Sequence, residues 1–312
     1  MFEKFCTQLH AEAPFDNKPF ITVEITPPHG ASIKPTIENI KTLKLHEKVA
    51  GFSVTDNPLA KLKMSGVLSA IQVQEAFEKP VIATMSMRDK NKLSLQSTLL
   101  GANDFDLRAI LALTGDPAKF SDQPEVKGVL ERDSTLLLSI IYRLNNGVDY
   151  SNKELNPKPK PIYPFAVSNA YSKDMRRIKK GMLKKLNYGA RGIITQPVYD
   201  LDNAKELLEI FEEAKHESVR NTAKDAELIL GQFPVVRART ANFISDKVPG
   251  ITVPKEIIDE MDLAAMDGIE KEQEVGFGIS KNIFDGILKL HPKLHLMTHN
   301  RFDLCSELIG DN

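Results

Sequence analysis

Residues 109–115 read AILALTG and residues 192–197 read GIITQP. Each is an unbroken aliphatic run that stops abruptly at polar residues. Neither alternates apolar with polar, so each predicts a strand covered on both faces, as in a parallel sheet wrapped by helices. Working outward, six more runs of this kind stand at Ile21–Thr26, Gly51–Asp56, Pro80–Ser86, Tyr163–Asn169, Ala226–Pro234 and Leu294–Asn300. Between them the period changes. Leu137, Ile140, Ile141 and Leu144 fall at i, i+3, i+4 and i+7, and Ala204, Leu207, Leu208 and Phe211 repeat the spacing behind an N-cap at Asp200 or Asp202. Gly147 and Gly189 are placed to stop helices.

Eight strands with helical crossovers in 312 residues predict a single closed (β/α)8 barrel, residues 1–312 forming one domain. A doubly wound open sheet is the alternative, but it opens with a glycine-rich phosphate turn after its first strand. Here that turn reads Pro27-Pro28-His29-Gly30. Asn156–Pro161 predicts a stiff, extended lead-in to the fifth strand. Pro117–Arg132 predicts a long loop on the face where barrels carry their chemistry, and two helical segments fit between Pro254 and Leu290.

Apolar residues make up 42% and charged residues 27%, enough for a sizeable core and too ordered a composition for a disordered tail. Lys and Arg number 41 against 42 Asp and Glu, a net charge of −1, which argues against a nucleic-acid binder that works by neutralising phosphates. Cys6 and Cys305 lie at opposite ends of the chain, so neither a disulfide framework nor a metal knuckle is expected. The first residues lack the apolar run of a signal peptide, and no stretch approaches the roughly 20 apolar residues of a membrane span. The expectation is a soluble cytoplasmic protein with no membrane partner.

In such a barrel the chemistry sits at the carboxyl ends of the strands. Glu24 is an acid inside an otherwise apolar strand. Burial there raises its proton affinity toward neutrality, as a general acid requires; the alternative is a structural carboxylate paired with a neighbouring Lys or Arg. Asp116 follows Gly115 at a tight turn, either accepting hydrogen bonds from a ligand or bonding its own backbone. Gln196 offers a donor and an acceptor, which suits the edge of a heterocycle. Arg301, just past the eighth strand, presents a fork for a carboxylate or caps the barrel end. Arg88 and Asp89 close the third strand. His291, His295 and His299 enter a strand rather than a helix, so their spacing aligns no metal site; His29 with His299 is the one conceivable pair, and no metal is expected. Lys173, Arg176, Arg177, Lys179, Lys180, Lys184 and Lys185 form a basic helix after strand five, mostly a solvated face, with one or two cations near a phosphate site.

In order along the chain, VEITPP around Glu24, GFSVTD, ALTGDPAK, GARGIITQPVYD, GQFPV, VPGITVP and the terminal THNR resemble the methylenetetrahydrofolate reductase family, from about residue 17 to 309. The loop GDPAKFSDQP with YRLNNGVDYSNKEL resembles the branch whose reductase domain is fused in some bacteria to a homocysteine methyltransferase. The resemblance implies a (β/α)8 barrel holding FAD, NADH or NADPH as donor, and a folate as substrate. Glu24 matches the general acid, Asp116 a carboxylate near flavin and pterin, and Gln196 the amide that meets pterin and nicotinamide in turn. Thr55, Ser86, Thr114, Gly115, Asp116, Asn169 and Lys185 fall at flavin-side positions; Gln196, Thr240 and Arg301 fall on the substrate side. Family members are usually oligomers, so a homo-oligomer is implied, as is association with other one-carbon enzymes.

Some positions depart from the better-known bacterial pattern. Thr114 replaces an Arg, Thr84 a His and Asn169 a Tyr, while Ile178 stands where an Asp helps hold the flavin's sugar region. An aromatic lid position aligns with Phe243 or Ile244. The competing readings are a flavin-free relative that transfers hydride directly or handles one-carbon folates otherwise, and a non-catalytic folate-binding subunit. The joint presence of Glu24, Asp116 and Gln196 speaks against the last.

Overall fold

The structure, a computed structural model, describes residues 2–11, 18–129, 131–248 and 250–310. Eight strands run in parallel: β1 (Phe20–Ile25), β2 (Gly51–Val54), β3 (Val81–Ser86), β4 (Ala109–Leu113), β5 (Tyr163–Ser168), β6 (Gly192–Pro197), β7 (Glu227–Gln232) and β8 (Lys293–Leu296). Each pairs with the next, and β8 pairs with β1, so the sheet closes. All eight expected strands are present. The expected ends overran by up to four residues, because the polar residues after the apolar run leave the ladder. Gly115, His299 and Asn300, for instance, take φ of +92°, +51° and +66°.

Helix signals behave as read. The side chain of Asp200 accepts from the Asp202 backbone N–H at 2.9 Å and caps Leu201–Glu217. Gly147 and Gly189 end their helices with φ of +78° and +98°, where a side chain would be strained. Two helices, Lys255–Met266 and Ile269–Leu290, precede β8. No helix among the described residues is long and apolar enough to cross a membrane.

The period of two along each strand sorts side chains into two layers. Ile21, Val23, Ile25, Ala83, Met85, Ala112, Ile193 and Leu294 meet the helices. Phe20, Ile82, Leu111, Tyr163, Phe165, Ile194 and Ile229 fill the barrel. The sequence reading assigned no element to the first residues, yet Phe2–Leu9 is a helix that seals the barrel floor with buried Phe5 and Leu9. Phe5 lies 5.2 Å from Phe20 and 6.4 Å from Phe165, ring centre to ring centre.

Above this plug the interior turns polar. Thr22 Oγ1 and His295 Nδ1 share a hydrogen bond of 2.8 Å. Burial pushes His295 down to about 4, below the ~6.5 of an unfolded histidine. The folded state therefore binds fewer protons between those values. Its contribution to stability is intact above about pH 6.5 and lost as pH falls toward 4. We expect His295→Asn, which keeps a partner for Thr22, to lose about 1–3 kcal/mol less than wild type between pH 7 and pH 4.5. Urea unfolding at the two pH values measures this; equal acid sensitivity would clear the imidazole of the effect.

Candidate active site at the carboxyl end of the barrel

The strand phase decides what enters the mouth. Glu24 is in step with Phe20 on β1 and points inward above the apolar layer, and Gln196 lies near the end of β6, where the pairing with β7 shifts register between Ile194 and Pro197. Ser86 continues the phase of Ile82 on β3, while Thr55, Gly115 and Asn169 stand just past the ends of β2, β4 and β5. Six of the candidate residues thus stand at the same, carboxyl end of the barrel.

Glu24 makes no hydrogen bond or ion pair with any described residue, so the structural pairing weighed as its alternative is not formed. Enclosure by the barrel wall raises its carboxyl to about 7, while part of its surface stays open to the mouth. A carboxyl that is protonated near neutrality and has no partner is a proton donor awaiting an acceptor. The Gln196 amide is likewise uncommitted among the described residues. Thr55 Oγ1 is buried without a partner among the described residues, a hydroxyl that a ligand or a water at the mouth can satisfy.

Asp116 reaches across rather than back. Its Oδ2 accepts from the Leu59 backbone N–H at 2.7 Å, so the local Asp-Pro turn expected as its alternative is not what it makes. Leu59 belongs to a strained turn after β2, in which Asn57, Leu59 and Ala60 take φ of +45°, +54° and +58°. Left-handed conformations of this kind cost about 1–2 kcal/mol per residue and persist only where neighbours hold them. Arg88 also holds this turn, with its side chain only 4% exposed. Its Nη2 donates to Asn57 O at 3.2 Å and its Nη1 to Asp116 O at 3.4 Å, while its fork grips Asp89 at 2.7 and 2.5 Å. That hydrogen bond holds Asp89 below the usual carboxylate range. Asp56 accepts from Ser86 N–H at 3.0 Å and from Lys90 Nζ at 2.8 Å. The loops after β2, β3 and β4 are therefore tied into one polar unit. The alternation Arg88-Asp89-Lys90 directly after an apolar strand was the signal for it in the sequence.

Gly115 sits against this unit. A Cβ there would lie 2.2 Å from Ser86 Oγ and 2.9 Å from Arg88 Cβ, so only glycine lets the β4 turn pack against the end of β3.

Other expected residues are already engaged. Ser86 Oγ accepts from the Arg88 N–H at 3.1 Å, and Thr114 Oγ1 accepts from the Ser134 N–H at 3.2 Å, at the start of the helix Ser134–Asn145. Lys185 Nζ donates to the Val167 carbonyl at the end of β5, and burial pushes its ammonium down. Its helix mates Lys179 and Lys184 pair with Glu213, Glu217 and Asp133. Arg301 is half-exposed and turns its fork onto Asp303, at 2.7 Å. Asn169 touches the loop at Gly250, whose absent Cβ would stand 2.9 Å from its Oδ1. Thr240 lies half-buried on the helix Ala238–Lys247. On that helix Phe243 is 53% exposed and Ile244 is buried. Ile178 is buried in the helix–barrel layer.

His29 Nδ1 bonds the Leu62 carbonyl at 2.9 Å, His291 Nε2 bonds the Leu228 carbonyl at 2.7 Å, and His295 faces Thr22. No group of three or more His, Cys, Asp or Glu side chains among the described residues is arranged to hold a metal.

Solved structures share the barrel. A protein from Clostridium thermocellum that binds two copies of 5-methyl-5,6,7,8-tetrahydrofolic acid superposes with a TM-score of 0.61 at 15% identity, covering 97% of this chain and 96% of its own. An EDTA monooxygenase from Chelativorans superposes at 0.56 with 10% identity, covering 94% and 92%. At such identities the likeness carries the fold alone. No curated protein matches the chain. The family model described as methylenetetrahydrofolate reductase matches residues 8–311.

Proposed function

Since the chain belongs to the methylenetetrahydrofolate reductase family, we propose that it reduces 5,10-methylenetetrahydrofolate to 5-methyltetrahydrofolate. NADH or NADPH is the donor, and hydride passes through bound FAD in a ping-pong sequence. The observation that carries this reading is Glu24: an inward, partnerless carboxyl raised to about 7. Folate binding by the barrel protein from Clostridium thermocellum is in keeping with a folate at this mouth.

The residues at the mouth fit a flavin in part. Thr55 offers an orphaned hydroxyl, and Asn169 and the Gly115 turn stand at the same end of the barrel. These three would hold the group, with Lys185 beside them once released from the Val167 carbonyl. A bound flavin supplies hydride chemistry that no protein side chain possesses. Glu24 delivers a proton to a nitrogen of the substrate's imidazolidine ring as that ring opens. Asp116 keeps one carboxylate oxygen free of Leu59 and faces the cation that ring opening leaves on the substrate. Gln196 orients the pterin edge by donating and accepting at once. Thr240 and Arg301 stand on the side where the rest of the substrate extends, and Phe243 excludes water over it.

The buried Ile178 and the engaged Lys185 favour a second reading, a flavin-free relative that handles the same folate by direct hydride transfer. In either case the whole of 1–312 acts as one cytoplasmic reductase domain, assembled as a homo-oligomer that associates with other one-carbon enzymes. An anaerobic visible spectrum separates the two readings. Flavin bands that bleach with NADH or NADPH and return on adding methylenetetrahydrofolate are expected. A colourless protein that added FAD does not restore, yet that still turns over the folate, would replace the first reading with the second.

A further inference from the structure

We propose that Arg88 is a positioning residue for the reaction, a buried guanidinium that fixes the Asp116 carboxylate by clamping the loops after β2, β3 and β4; this rests on the reductase reading above. Arg88 donates to carbonyls on two different loops, Asn57 O and Asp116 O, while its fork is held by Asp89 on a third. The Leu59 N–H that holds Asp116 Oδ2 sits one turn from the Asn57 carbonyl that Arg88 holds. Arg88 therefore grips both ends of the Asp116 contact, the backbone of Asp116 itself and the turn that presents Leu59.

Among the described residues, Asp56 and Asn57 link the loops after β2 and β3 and Asp116 links those after β4 and β2, but Arg88 alone is hydrogen-bonded to all three. A lysine carries the same charge, but on a single nitrogen without the planar fork, so it serves one loop and releases the others. The turn that it would loosen holds three left-handed non-glycine residues; Asn57 still meets Asp89 and Lys63 there, but the hold on the Asn57 carbonyl next to Leu59 is lost, and strained backbone shifts where a hold is lost. Asp116 then loses a fixed donor, and its carboxylate no longer has one position at the mouth. Gly115, between them, has no side chain to take over.

Two measurements on the FAD-loaded enzyme test this. Arg88→Lys should lower kcat for folate reduction by about 10-fold or more in the wild-type background and by less than about 2-fold where Asp116→Asn is already present, because nothing is then left to aim. Equal losses in both backgrounds would make Arg88 a stability residue only and overturn the proposal. Independently of activity, hydrogen exchange at the Leu59 amide should quicken by about 10-fold or more in Arg88→Lys, with the amides inside β4 unchanged. Unchanged exchange at Leu59, or a rise everywhere, overturns it too. A wild-type protein that reduces no folate would end the reductase reading by itself, and the Leu59 amide would still decide whether the clamp exists.

Discussion

Glu24→Gln should lower the rate of folate reduction by about 10²–10⁴-fold, the range that a positioned general acid supplies. Reduction of the bound flavin by the nicotinamide should stay at its wild-type rate, since that half of the cycle needs no proton from this residue. Glutamine keeps the size and the inward phase of Glu24 but has no proton to give. With a carboxyl at about 7, the wild-type folate half-reaction should slow as pH rises through neutrality and the acid deprotonates. The variant should lack that limb.

The same substitution makes a second, opposite prediction about stability. The folded carboxyl binds its proton more tightly than the unfolded one, whose value lies near 4.3. A group raised in the folded state contributes most below its unfolded value, and that contribution is lost as pH rises through about 7. At pH 8 the wild type therefore carries a buried charge that costs about 1–3 kcal/mol, reduced from the full linkage value because the mouth is open to water. Glu24→Gln is expected to be more stable than wild type by that amount at pH 8 and no different at pH 4. Stopped-flow half-reactions and urea unfolding at the two pH values measure both signs. Folate reduction by the variant at the wild-type rate would remove Glu24 from the role of acid, and a variant less stable than wild type at pH 8 would mean that burial does not raise its carboxyl.

Phe165→Ala should destabilise the fold by about 3–5 kcal/mol, the range for emptying a large aromatic site in a closed core. Phe165 is fully buried inside the barrel, 4.9 Å from Tyr163 and 6.4 Å from Phe5 by ring centres. It also fills the space opened by Gly192, where a Cβ would stand 2.3 Å from its ring. Removing it strips one wall from the plug helix Phe2–Leu9 and leaves a void that the strands cannot collapse to fill, because the ladder fixes their spacing. The urea midpoint reads the loss. Leu62→Ala, at a side chain that is 50% exposed, is the control and should cost less than about 0.5 kcal/mol. A cost for Phe165→Ala near that of the control would mean that the interior is not closely packed.

The barrel, its eight strands and the places of Glu24, Thr55, Gly115, Asn169 and Gln196 at the strand ends are legible in the sequence. These are local properties: an apolar run of strand length and a period of two are written in consecutive residues. The sequence by itself did not determine which polar groups are free. That Asp116 bonds Leu59 rather than its own turn, that Thr114 caps a helix, that Arg301 turns to Asp303 and that Arg88 spans three loops depend on where each chain segment ends in space. Arg88 and Asn57 stand on loops that meet because β2 and β3, far apart in sequence, pair side by side. Phe243 and Ile244 are neighbours on one helix, and only the face that packs against the barrel separated the exposed ring from the buried chain. Hydrogen-bond partners are chosen among groups brought together by strand pairing and barrel curvature, and a strand's own sequence holds no record of them.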